Sequence, residues 1–290
     1  MLIRKKSLKI QERLGMNIGV TYGVSAVPVA KTVDQCLFVL EELYKIGFRA
    51  LVLPRDLFAN IKSMTELYKD YYGDLLRIKN IAKKYNIELS LHLSNLGDLP
   101  DEQLRLFSTI SSVMDCRILT IHPTFYSRMP HDQALRLVVY KINEILGELR
   151  VSVNIGVENT GKVGELGSLE NVIDICRRTG KTEPVINWAH LHARGVGCLK
   201  TQEDFRKVIE QVKQVAGQHW LRNAYFFFSG VKYGPSGEIG HTSFLHSDLR
   251  LDHLIRSILA YGMRGTLIFE EPEREKNVVK ILDDLGDMVR

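Results

Sequence analysis

His92, His122 and Glu158 lie far apart in the sequence, yet each closes a short apolar run: L-S-L-H, I-L-T-I-H and I-G-V-E. Two imidazoles and a carboxylate at such ends could ligate zinc or a similar borderline metal, which prefers histidine nitrogen and carboxylate oxygen. Glu270 closes another run, L-I-F-E, and Asn187 a further one within P-V-I-N-W-A-H-L-H-A-R. His190 and His192 fall in the loop expected beyond Asn187, and His241 ends G-P-S-G-E-I-G-H in another. A single histidine past a buried strand is usually a hydrogen-bonded structural residue. Four imidazoles (His92, His122, His190, His241) converging with Glu158 and Glu270 are a different case, because buried ionisable groups must be paired or ligated to be tolerated.

For these residues to meet, the elements carrying them must end at one place. Apolar runs predict strands over 17–22, 50–54, 87–92, 117–122, 152–158, 185–187, 224–228 and 265–270. Apolar residues at helical spacing predict helices over 33–46, 64–84, 102–114, 131–149, 169–178, 202–215, 249–261 and 273–289. Thr32 is placed to cap the first of these and Gly47 to close it. Near-continuous apolar strands alternating with amphipathic helices argue for a parallel sheet covered by helices. Eight such pairs without a Gly/Ser-rich linker predict the α/β class and a single (β/α)8 TIM barrel over 16–290, preceded by a basic lead, 1–15, as readily frayed as functional. All strand C-termini of a barrel meet at one mouth, which is the convergence the candidate ligands need. The runner-up, a doubly wound sheet, lacks its Gly-rich fingerprint, and no phosphate-binding G-x-x-x-x-G-K-[ST] occurs, so no nucleotide cofactor is expected.

Composition narrows the partners. A chain that is 45% hydrophobic and 25% charged can bury a large core, and a net charge of +5 permits phosphate-bearing partners without requiring them. Cys36, Cys116, Cys176 and Cys198 show no C-x-x-C spacing and read as reduced packing residues. No stretch approaches about 18 uninterrupted apolar residues, and the charged start has no signal-peptide core. A soluble, cytoplasmic protein without a membrane partner is expected. His131 and His219 read as surface or capping residues, and the aromatic run 225–228 as barrel core and not as a base-stacking platform.

The segments L-S-L-H-L-S-N-L, I-H-P-T-F-Y-S-R, G-V-E-N-T-G-K, I-N-W-A-H-L-H-A-R, F-F-F-S-G-V-K-Y-G-P-S-G-E-I-G-H and L-I-F-E-E-P resemble endonuclease IV, the second family of apurinic/apyrimidinic (AP) endonucleases, and its archaeal branch in particular. The likeness runs in matching order from Gly19 to Arg290. It implies a xylose-isomerase-like barrel holding three zinc ions and cutting DNA 5′ to an abasic site. Carried over, His92, His122 and Glu158 match the complete ligand set of the first metal, while Glu158 and Glu270 match two ligands of the second. Its other two positions are altered: Asn187 stands for an aspartate and Phe227 for a histidine. His190 and His241 match two ligands of the third metal; Ile239 stands near its missing aspartate, Glu238 is the candidate substitute, and His192 is expected to support the ligands. The tyrosines that family members place after the first histidine are replaced by Ser94, Asn95 and Leu96.

An amide oxygen is a weak ligand and a phenyl ring is none, so the second metal is expected to bind poorly or not at all. One carboxyl of the Glu158–Glu270 pair should then have a raised pKa unless Lys162, Arg194 or Lys232 neutralises it. The foremost reading is a zinc-dependent AP endonuclease-like hydrolase of base excision repair, with one to three zinc ions or manganese, acting as a monomer on DNA with abasic or damaged sites at a reduced rate. Glu158 and Glu270 would be its catalytic carboxylates, and Lys162, Arg194 and Lys232 its phosphate contacts. The alternative is a non-cleaving descendant that binds damaged nucleic acid. Third comes a single-metal sugar isomerase or epimerase, whose resemblance implies ligands at Glu158, Asn187, Phe227 and Glu270, a set that is broken here.

Overall fold

A computed structural model describes residues 2–93, 101–124, 129–149, 153–180 and 182–290. Its centre is a closed, all-parallel barrel. The strands are β1 (Met16–Thr21), β2 (Ala50–Leu53), β3 (Glu88–Leu93), β4 (Leu119–Ile121), β5 (Ile155–Glu158), β6 (Thr182–Asn187), β7 (Ala224–Phe228) and, numbered after a hairpin described below, β10 (Gly265–Phe269). Each pairs with its sequence neighbour, and β1 closes the ring on β10 from Met16↔Gly265 to Val20↔Phe269. The expected TIM barrel is thus the observed fold.

Helices α2 (Val33–Ile46), α4 (Tyr72–Tyr85), α5 (Asp101–Val113), α6 (His131–Glu148), α7 (Leu169–Thr179), α9 (Gln202–Arg222) and α10 (Leu251–Ala260) cover the outside. Thr32 accepts from the Gln35 backbone N–H, and Gly47, at φ 81°, closes α2 in the left-handed conformation that its missing Cβ makes inexpensive. Two cores result. Strand residues such as Leu51 and Leu53 face the helices, while Ala50, Val52, Ile118, Val185, Tyr225, Phe227 and Ile268 pack inside the barrel. Gly19 belongs to the inner layer, where a Cβ would lie 2.3 Å from the Ala50 carbonyl oxygen.

Strand parity then fixes the mouth. Side chains alternate across a strand, so the residue two positions beyond an inward-facing one also points inward. Val185, Tyr225 and Ile268 face inward, and Asn187, Phe227 and Glu270 follow them one rung later. Ser90, bonded to Tyr225 across the barrel, is followed in the same way by His92. Phe228 faces the other way, against Phe244 and Phe269.

Several elements depart from expectation. Residues 2–14, within the lead expected to be as readily frayed as functional, form α1 (Leu2–Leu14), whose Ile10 and Leu14 enter the outer core. Gln11 ties it down by accepting from the Ile18 N–H and donating to the Gly47 carbonyl. The helix expected over 64–84 starts as α3 (Met64–Glu66) and passes through a π-helical turn, Leu67–Tyr71, before α4. The final helix breaks into α11 (Glu275–Lys280) and α12 (Leu282–Met288). His190 and His192 lie not in a loop but on a short helix, α8 (Trp188–Arg194), capped by the Asn187 side chain. His241 lies on a hairpin, β8 (Gly230–Gly234) with β9 (Gly237–Thr242), which folds across the mouth. Cys36, Cys116, Cys176 and Cys198 are free thiols, and no described helix is long and apolar enough to cross a membrane.

Candidate metal centre

His92, His122 and Glu158 meet at the C-terminal rim of β3, β4 and β5. His92 Nε2 lies 3.2 Å from His122 Nε2 and 3.0 Å from Glu158 Oε2, and His122 Nε2 is 3.2 Å from Glu158 Oε1. Three donors of zinc-ligand type facing one point, all but His122 buried below a tenth of their surface, fit a borderline metal ion. Tyr22, not among the residues singled out from sequence, directly follows β1, and its hydroxyl lies 3.1 Å from His92 Nδ1 and so fixes that ring from behind.

A second group forms between α8 and the hairpin: His190, Glu238 and His241. His190 Nε2 is 3.4 Å from Glu238 Oε2, and His241 Nε2 is 3.4 Å from Glu238 Oε1. Each ring is oriented from its other nitrogen. His190 Nδ1 donates to the Asn159 carbonyl at 3.0 Å, and His241 Nδ1 meets Ser229 Oγ at 2.5 Å. Glu238 reaches inward because Gly161 lies beneath it, where a Cβ would come within 2.2 Å of Oε2. Ile239, next along the hairpin, points to solvent at 75% exposure. The ring centroids of His92, His122, His190 and His241 follow one another at 4.8, 5.5 and 5.4 Å, so the two groups form one continuous arc.

Between them sits Asn187, fully buried. Its Oδ1 accepts from the His190 N–H at 3.1 Å, which orients the amide and aims Nδ2 at Glu158 Oε1 (3.0 Å) and Glu270 Oε2 (2.8 Å). Asn159, also missed from sequence, holds the Asn187 backbone through bonds of 2.9 Å to both its N–H and its carbonyl. Phe227 packs its ring 5.6 Å from that of His92 and offers no donor. The amide hydrogens therefore occupy the space between the two carboxylates.

The electrostatics correct one expectation. Burial alone would push the Glu158 carboxyl upward, but His122 and His92 facing it, with hydrogen bonds from His122 and His190, hold it well below the usual carboxylate range. The neutralising charge comes from histidines, not from Lys162, Arg194 or Lys232. Burial opposes protonation of His190, yet Glu158, Glu238 and Glu270 outweigh it and raise its pKa to about 9. For His122 burial prevails over Glu158 and the shift is downward.

The three basic candidates fare differently. Arg194 is committed to the protein itself: its guanidinium donates to the carbonyls of Lys162 (2.5 Å), Glu165 (2.9 Å) and Val163 (3.2 Å), so both Nη atoms are engaged within the chain. Lys162 is exposed and 3.7 Å from Glu165, and Lys232 is exposed on β8. His192 has no lone pair to give. Its Nδ1 accepts from the Leu199 N–H at 3.0 Å, and Nε2 faces Asp248 Oδ1 at 3.2 Å. The Tyr233 hydroxyl bonds the other Asp248 oxygen, so this trio ties the base of the hairpin to α8. His131 and His219 are exposed, and Ser94, Asn95 and Leu96 lie outside the described residues.

An uncharacterized protein of Methanocaldococcus jannaschii is 24% identical over 200 residues, spanning 66% of this chain and 73% of that protein. Endonuclease IV from Thermus thermophilus superposes with a TM-score of 0.64 at 15% identity, covering 93% of this chain and 99% of its own. The IolI protein, solved with a bound zinc atom, superposes at 0.65 with 12% identity over 94% and 98%. Sugar epimerases share the same fold. At these identities the structures speak for architecture alone, but the family profile matches residues 40–286, and the chain belongs to the xylose isomerase-like TIM barrel family.

Proposed function

We propose that this protein is a metal-dependent phosphodiesterase of the endonuclease IV type that incises DNA at abasic sites. The observation that carries this reading is the pairing of two separate ligand groups, His92–His122–Glu158 and His190–Glu238–His241, on one arc across the mouth. Zinc-type ions bound there would supply Lewis-acid polarisation of a phosphate oxygen and acidify an attacking water. Glu158, kept ionised by its histidines, contributes charge to the first group. Glu270 bonds Asn187 through Oε2 only, which leaves Oε1 to orient a water beside both groups.

A single-metal sugar isomerase is disfavoured because two of the four positions it would need are Asn187, whose amide donates into the site, and Phe227, which closes it. A binding protein without cleavage is the second reading, favoured by the same two residues, which remove a place for an ion between Glu158 and Glu270. Elemental analysis of the purified protein beside incision of a duplex with one abasic site separates the two. About two ions per chain with chelator-sensitive incision supports the hydrolase. Ions without incision, under added zinc and manganese, leaves the binder, and no ions at all ends both metal assignments.

A further inference from the structure

Arg274 stands at the mouth in an unusual state. Its backbone adopts φ 53° and ψ −130°, a region that residues with a Cβ rarely enter, on the turn between β10 and α11. The side chain is half-buried. One nitrogen, Nη1, makes a long bond of 3.3 Å to Thr21 Oγ1, and Nε is buried with no hydrogen-bond partner. The nearby acidic side chains are otherwise engaged. Glu275 accepts from the Ser25 N–H and hydroxyl at 2.7 and 2.6 Å, while Glu271 accepts from the Phe244 N–H and Asn277 Nδ2, each at 2.9 Å. No carboxylate among the described residues pairs with Arg274, although Glu270 and Tyr22, both at the candidate metal centre, lie within its electrostatic reach.

A buried guanidinium nitrogen left without an acceptor is costly, and arginine's planar fork is matched to carboxylate and phosphate oxygens. With Arg194 committed to backbone carbonyls and Lys162 and Lys232 on the exposed rim, Arg274 is the cation that combines a buried, unpartnered Nε with a bond to Thr21 at the C-terminal end of β1, where the mouth lies. We infer that Arg274 is the substrate-binding residue that receives a phosphate group of the ligand at the mouth, and that its strained backbone is retained for this contact. The inference deepens the phosphodiesterase reading but depends on it only for the choice of one probe. A phosphodiester of DNA and a small phosphate-bearing molecule share the required chemistry.

The informative variant is Arg274→Gly, because glycine relieves the positive φ. Zinc-loaded full-length protein and the variant are titrated with a duplex carrying one tetrahydrofuran abasic analogue across a salt series, and separately with inorganic phosphate, alongside thermal melts and ion content. A phosphate contact predicts affinity weakened by about tenfold, a log–log salt slope reduced by about one, unchanged ion content and an equal or higher melting temperature. Arg274→Lys, which keeps the charge without the fork, should retain the slope and recover only part of the affinity. Loss of phosphate binding in a protein that never binds the duplex supports the role of Arg274 and removes DNA as the substrate. Unchanged affinity for both probes overturns the proposal. So does a variant that melts lower and binds normally, since Arg274 would then be a structural residue.

Discussion

The Asn187 side-chain amide donates to Glu158 Oε1 at 3.0 Å and to Glu270 Oε2 at 2.8 Å, standing where two carboxylates would otherwise call for a cation. Asn187→Asp tests this directly. An aspartate can still cap α8 by accepting from the His190 N–H, so the local backbone is left intact. Three carboxylates would then meet in a buried space without their hydrogen-bond donor. In chelator the variant should lose about 3 kcal/mol or more in urea unfolding, the range for an uncompensated buried charge. Added zinc should restore much of that loss, and pairing the change with Phe227→His should raise ion content by one per chain. A variant as stable as the parent in chelator would show that the amide is not acting as the charge bridge.

Much of this site is legible from sequence because strand parity is. Apolar runs that end in His92, His122, Glu158, Asn187 and Glu270 declare the rim of a barrel, and the period of two carries those side chains inward together. What escaped has a physical reason in each case. Helix α8 has seven residues, too few for a helical period to stand out from an apolar run. The hairpin bearing Glu238 and His241 has short strands, is rich in glycine and turns through P-S-G, so it reads as loop. Arg194 looked like a phosphate contact because its acceptors are backbone carbonyls, which leave no trace in residue types. The sequence offered Lys162, Arg194 and Lys232 as the charges facing the Glu158–Glu270 pair, but for Glu158 the outcome turns on how closely three imidazoles approach one carboxylate, a distance that no spacing encodes.

Arg194 should therefore matter for architecture and not for binding phosphate. By holding the carbonyls of residues 162, 163 and 165, it fixes the loop whose Gly161 carbonyl accepts from the Glu238 N–H at 2.9 Å. Arg194→Met should destabilise the fold by roughly 2 kcal/mol, since several charge-assisted bonds are lost from a partly exposed site. It should also weaken ion binding at His190–Glu238–His241 while sparing His92–His122–Glu158. Cobalt titration followed by visible absorption, with urea unfolding in parallel, reads both effects. A reduced salt slope for duplex binding at unchanged stability would instead return Arg194 to the role of phosphate contact.

Gly19 tests the barrel interior apart from the chemistry. A Cβ there would sit 2.3 Å from the Ala50 carbonyl oxygen and 2.6 Å from the Ala50 Cβ, in a strand pair that cannot spread without breaking the ring. Gly19→Ala should cost about 2 kcal/mol or more, as overpacking in a closed core does. Ion content per folded molecule should stay unchanged. Wild-type stability in this variant would mean that β1 and β2 are less closely packed than described.

The pH response of the second ligand group follows from His190. Its pKa is raised to about 9 because Glu158, Glu238 and Glu270 favour the charged ring against the opposing effect of burial. The ion-free folded state thus binds a proton more tightly than the unfolded chain, whose histidines titrate near 6.5. That contribution to stability is fully present below about 6.5 and is lost as pH rises through about 9. Ligation works in the opposite direction, because an ion takes the neutral ring and must displace the proton from Nε2. Affinity for zinc at this group should accordingly fall by about tenfold for each unit of pH below about 9, one proton being released per ion. Calorimetric titrations in two buffers of different ionisation enthalpy would count that proton. His190→Gln should remove the release along with the ion, whereas His192→Gln should keep it, because His192 already uses both ring nitrogens within the protein. Zinc binding of constant affinity between about pH 6 and 8, without proton release, would mean that His190 is neutral before the ion arrives and that the three glutamates do not act on it together.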